Sequence, residues 1–220
     1  GSLKLSGGNA IPDGAGKGDV TVDGTLDLNG SSETINGLSG SGTVDNTSAT
    51  AVALAVGKNS DTSSFSGSVA GSVGGLTLNK IGSGTLTLTG TGNSLADVSA
   101  AGGNLVLAGN STTTLSGSMN VANNGISSGS HGTLIVTNNA SLTVAGNFYM
   151  GNRSDKIGTA NQSGGTVTLN TSLGSGVRFG HWSGAEGNYT ISGGTLNVLN
   201  TTSILGYNGT RAYFRIRPYS

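Results

Sequence analysis

The residues best equipped for chemistry lie between Arg178 and Gly187, in the run Arg-Phe-Gly-His-Trp-Ser-Gly-Ala-Glu-Gly. It holds the only tryptophan, Trp182, and one of two histidines, His181. In a loop, Trp182 beside Arg178 and Glu186 has the makings of a sugar platform: an aromatic face flanked by polar groups. His181 with Glu186 is the pair that acid–base chemistry would draw on. The plainer reading, and the favoured one, is that one large aromatic packs over the coil it leaves. The corresponding positions of neighbouring repeats hold Asn152-Arg153 and Tyr207-Asn208, which share polarity but no catalytic type.

The second concentration of ionisable groups is Asp13, Asp19, Asp23 and Asp27. Asp23 and Asp27 sit an even number apart, on outward positions of adjoining strands, and make a weak cation candidate. Solubilising charge on a strand face is the plainer account. Glycoside hydrolysis wants paired carboxylates about 5–9 Å apart. Eliminative cleavage wants a base, usually with calcium held by several carboxylates. With only 10 acidic residues in 220, neither set assembles from the sequence. No catalytic residue, metal or cofactor is assigned.

The elements that must position these groups are legible in Gly74–Gly90, GGLTLNKIGSGTLTLTG. Leucines 76, 78, 86 and 88 alternate with threonines, which puts leucine on one face of a strand and threonine on the other. Gly82-Ser83-Gly84 supplies a sharp turn. Lys80 falls in phase with Leu76 and Leu78. Because lysine is rarely buried unpaired, the spacing predicts a bend at Asn79-Lys80, with Ile81 restarting the apolar side.

The second half of this unit recurs at Gly24, Gly42, Gly84, Gly103, Gly132, Gly165 and Gly194, each followed by Thr or Asn and then Leu or Val. The 42-residue step from Gly42 to Gly84 reads as two coils. An irregular repeat of roughly 20–30 residues with short strands and Gly/Asn/Ser turns marks a solenoid. From His131 a second family appears, with Ser163-Gly164-Gly165 returning 29 residues later as Ser192-Gly193-Gly194. The organisation read from this is residues 1–130 with GxGTLxL-type repeats, residues 131–210 with SGGT-type repeats, and residues 211–220 as a cap or a truncated repeat. Ala51–Val56 is expected as a strand and Asp61–Ser66 as a loop.

Glycine is abundant, at 41 residues, but without a G-x-y period, and helix signals are nearly absent. The fold expected is all-β, a single parallel β-helix of roughly nine to eleven coils at about 20–25 residues each, near 45–50 Å long at about 4.8 Å per coil. Leu76, Leu78, Leu86, Leu88, Leu105, Leu134, Val167 and Leu196 should stack inside. Cysteine is absent, which excludes disulfides and thiolate chemistry. Net charge is zero, so there is no nucleic-acid footprint. No apolar run is long enough for a membrane-spanning helix.

GGLTLNKIGSGTLTLTG resembles the autotransporter-associated β-strand repeat of bacterial passenger domains. VTVDGTLDLNGSSETINGLSGSGTV resembles the segment that commonly follows it. The copies at Gly151, Gly180 and Gly206 resemble the second repeat type of the same large surface proteins. The resemblance implies a right-handed parallel β-helix displayed outside a bacterial cell. Such passengers include adhesins, self-associating proteins and carriers of separate enzyme domains; the function expected here is a non-catalytic structural or adhesive role, with host or neighbouring-cell surfaces and glycans as partners. Polysaccharide binding or cleavage is the alternative. Residues 1–150 hold 4 basic and 8 acidic residues, and residues 151–220 hold 6 and 2. That split of −4 against +4 favours head-to-tail self-association.

Overall fold

A computed structural model describes residues 1–122, 131–151, 153–171, 176–180, 182–199, 203–205 and 211–217. The described residues are all-β, and their strands pair in parallel, each with the equivalent strand one coil away. Three faces result. The first is an eight-stranded sheet from Glu33–Ile35 through Val52–Val56, Leu76–Lys80, Asp97–Ala100, Met119–Val121, Phe148–Met150 and Val177–Phe179 to Ser203–Leu205. The second carries Ser63–Phe65, Thr85–Leu88, Gly103–Leu107 and His131–Val136, and ends at Arg211–Ile216. The third carries Thr25–Asp27, Thr43–Asp45, Asn93–Leu95, Thr112–Leu115 and Ser141–Val144. Ile157–Asn170 and Glu186–Leu199 each run along two faces, bending where Ser163 and Gly193 break the register. No helix among the described residues is long and apolar enough to cross a membrane.

The solenoid has about eight turns, fewer than the nine to eleven expected. The reason is coil length. Thr25 pairs with Thr43, a step of 18, but Gly103 pairs with Gly132 and Phe148 with Val177, steps of 29. Longer coils add loop at the corners without adding height, so the rod is about 35 Å long at about 4.8 Å per rung.

The glycine series also divides. Thr25, Thr43, Thr166 and Thr195 lie on the third face, whereas Thr85, Asn104 and Thr133 lie on the second. A Cβ on Gly42 would collide with the carbonyl of Gly24, and one on Gly103 with that of Gly84. These are two separate corner columns. The step from Gly42 to Gly84 is therefore not two coils. Both corners need a glycine followed by an alternating strand, and local pattern cannot tell them apart.

Side chains stack in register inside the rod. Leu54, Leu78, Val98, Met119, Phe148 and Val177 form one column of the first face. All eight predicted core residues point inward, and seven are buried. Leu196 is partly buried, with no described strand pairing beyond its segment of the third face. Ser63–Phe65 is a strand rather than a loop, because Phe65 continues the inward column of Leu88 and is fully buried.

The two ends differ. At the first, residues 7–18 lie over the rod: Ile11 packs on the core, and the Ala10 and Ile11 amides donate to Oε2 of buried Glu33 at 2.7 and 3.3 Å. Asn59 Nδ2 holds the same loop by donating to the Gly14 and Lys17 carbonyls. At the other end, Arg211–Ile216 pairs in parallel with Glu186–Ile191 as one more rung. Residues 211–216 thus continue the parallel ladder, and residues 218–220 lie outside the described residues. Phe214 and Ile216 remain exposed.

Candidate functional site

The Arg178–Glu186 stretch is positioned by Val177–Phe179 on the first face and by the strand that begins at Glu186. Between them, the Ala185 amide closes a turn by donating to the Trp182 carbonyl at 2.9 Å. Arg178 stacks one rung above Tyr149, with its guanidinium 5.4 Å from the ring centroid. Glu186 Oε1 accepts from Asn188 Nδ2 at 2.9 Å, two residues along its own strand. Arg178 and Glu186 are thus engaged with separate neighbours. Trp182 is 55% exposed, so packing over the coil covers less than half of it. His181 lies outside the described residues.

The aspartates act as stitches between coils. Asp23 is exposed, and its Oδ1 accepts from the Ser41 amide of the next coil at 3.2 Å. Asp27 is buried, accepting from the Thr47 hydroxyl at 2.6 Å, the Thr47 amide at 3.1 Å and the Asn29 amide at 2.9 Å. Lys4 Nζ lies 3.4 Å from it. Burial alone would raise the Asp27 pKa. The hydrogen bonds, led by the Thr47 hydroxyl, outweigh it and hold the carboxyl below its usual range. Asp45 repeats the arrangement on Ser72, at 2.9 and 2.7 Å. Asp97 accepts from the Ser118 amide at 2.6 Å. Asp19 and Asp61 both accept from Asn36 Nδ2. Asp23 and Asp27 therefore serve different inter-coil contacts. Among the described residues no three His, Asp or Glu side chains gather as a metal site.

Two interior polar groups escaped the sequence reading. Lys80 does not end its strand: Leu76–Lys80 runs straight through, and Lys80 is fully buried between Val56 and Ala100 of adjacent rungs. Its ammonium donates to the carbonyls of Ile81 at 2.6 Å, Gly82 at 3.2 Å and Gly102 at 3.3 Å. Small Ala100 leaves the room, and the corner turns its carbonyls inward as partners. Burial pulls the Lys80 pKa down to about 8. The phase of Lys80 with Leu76 and Leu78 was the signal; what it lacked was the inward-facing carbonyls. The second group is Gln162 with Tyr189, both buried.

Comparison with family models, with curated proteins and with solved structures finds no match to this chain.

Proposed function

We propose that this chain is a non-catalytic structural and adhesive segment of a bacterial cell-surface or secreted protein of the autotransporter kind. One observation carries the reading. The carboxylates Asp19, Asp23, Asp27, Asp45, Asp61 and Asp97 accept hydrogen bonds that join neighbouring coils. Groups that hold a rod together are not poised to abstract or deliver protons to a substrate. Short parallel strands, cross-coil stitches and the absence of cysteine all suit a rigid spacer that holds a surface away from a cell. The test has two arms. Beads coated with the protein should bind bacterial or host cells above coated controls. Incubation with a polysaccharide panel should release no reducing ends and no unsaturated products. Release of either product overturns the non-catalytic reading, and bead binding at background overturns the adhesive part.

A further inference from the structure

The outer side of the first face carries a groove of about 510 Å³ across four successive strands. Its polar lining stands in two columns fixed by strand register. One runs Thr77, Asp97 and Ser118, and the other Asn79, Ser99 and Asn120. On the earlier rungs the groove is lined by Ser32, Ala51, Val52 and Ala53. On the later side the columns continue through Asn147 and Tyr149.

Asn79 is 5% and Ser99 3% exposed, yet Asn79 Oδ1 and Ser99 Oγ have no hydrogen-bond partner. Asn147 Oδ1, one rung on from Ser118, is likewise without one. Leaving a buried polar atom unmatched costs about 1–3 kcal/mol, and folded proteins do so seldom. Three outward pairs elsewhere among the described residues are satisfied: Thr21 with Ser39, Asn104 with Thr85, and Asn197 with Thr168. Asn79 and Ser99 are neighbours in one column, and Asn147 stands in the other, two rungs on from Ser99.

A ligand that matches them must offer hydrogen-bond donors repeatedly, at about the rung spacing of 4.8 Å. It need carry no charge. The only ionisable side chain lining the groove is Asp97, whose Oδ1 already accepts from the Ser118 amide; Arg178 stands one rung beyond Tyr149, outside the groove, with its guanidinium over that ring. The lining offers hydroxyls, amides and the Asp97 carboxylate, with the apolar side chains Ala51, Val52 and Ala53 at one end. We propose that this groove binds a neutral, hydroxyl-rich glycan chain lying along the rod, with Asn79 and Ser99 as its hydrogen-bonding contacts in one column and Asn147 beyond the groove in the other. The assignment rests on the non-catalytic reading, since a lone, engaged carboxylate binds without cleaving.

The experiment uses the whole 220-residue chain. It is titrated with defined neutral oligosaccharides built on glucose, mannose, galactose and N-acetylglucosamine. Polyuronate fragments and extended peptides serve as comparison probes. The double variant Asn79→Ala/Ser99→Ala is titrated in parallel. At least one neutral probe should bind, and the double variant should weaken it by about tenfold or more, the equivalent of one lost hydrogen bond. The variant removes atoms without partners, so its melting temperature should be equal or higher. Failure of every neutral probe, binding of polyuronates or peptides alone, or equal affinity in the variant overturns the proposal. So does a lower melting temperature for Ser99→Ala, which would reveal a structural partner. Product release in the same titrations would refute the non-catalytic reading separately, whatever binds.

Discussion

The Tyr189 hydroxyl donates to Gln162 Oε1 at 2.7 Å inside the rod, across one coil. Gln162 in turn donates from Nε2 to the Thr195 carbonyl at 2.9 Å. The pair sits where the second face turns into the third, and small Ala160 beneath Tyr189 makes room for the ring. Phe179 and Phe214 stack on it, with centroids 6.1 and 5.6 Å away.

Tyr189→Phe keeps the ring and removes the donor, leaving a buried amide oxygen unmatched. We expect a loss of about 1–3 kcal/mol, read as several degrees in thermal unfolding. Gln162→Leu with Tyr189→Phe should recover part of it, since the two act as a unit. Additive losses in the double-mutant cycle would show that the bond does not couple them.

Lys80→Met should also destabilise, by about 1–3 kcal/mol, because the carbonyls of Ile81, Gly82 and Gly102 lose the ammonium they share. The lysine carries a pH signature of its own. Its folded pKa is about 8 against 10.5 for the free side chain. Between those values the unfolded chain holds more protons than the folded one, so the Lys80 contribution to stability rises with pH. The rise is at most of order 3 kcal/mol, and the carbonyls that hold the ammonium reduce it. Denaturant titrations from pH 7.5 to 10.5 should show a rise in wild type minus Lys80→Met. A flat difference would mean the ammonium is as stable inside as in water.

Asp27 works in the opposite sense. Its carboxyl is held below 3.8 in the folded rod. Its contribution is therefore complete above that value and is lost as pH falls below it through the folded pKa. Asp27→Asn should be less stable at neutral pH and should lose less on acidification. Parallel acid-unfolding curves for the two proteins would refute this.

Leu86→Asp places a charge in a fully buried column, against Leu105 on the next rung. The expected cost is several kcal/mol. An unchanged melting temperature would contradict the register described here.

The rung at Arg211–Ile216 leaves Phe214 and Ile216 43% and 78% exposed, beside Arg211, Arg215 and Arg217. Among the described residues no further strand pairs with its outer edge, and an open edge invites another chain. The acidic Asp13, Asp19 and Asp23 lie towards the other end. We expect salt-sensitive end-to-end association, with mass in light scattering rising with concentration at low salt and falling at high salt. Ile216→Lys should suppress it. A constant monomer mass under all conditions would exclude it.

Alternation of Leu and Val with Thr, punctuated by glycine, determined the all-β solenoid and most of its interior. Period two sets side-chain direction along a strand, and only stacking can bury so many short strands. The same alternation placed Leu86, Leu105 and Leu134 correctly without any tertiary information. Three things waited for the fold. Which corner each glycine occupies depends on coil length, which loops change without altering the local pattern. Whether Lys80 could stay inside depended on carbonyls contributed partly by Gly102, 22 residues away. The tasks of the aspartates, and the unmatched oxygens of Asn79 and Ser99, are set by the neighbouring rung: partners 17 to 29 residues apart in sequence meet only when the coils close on one another.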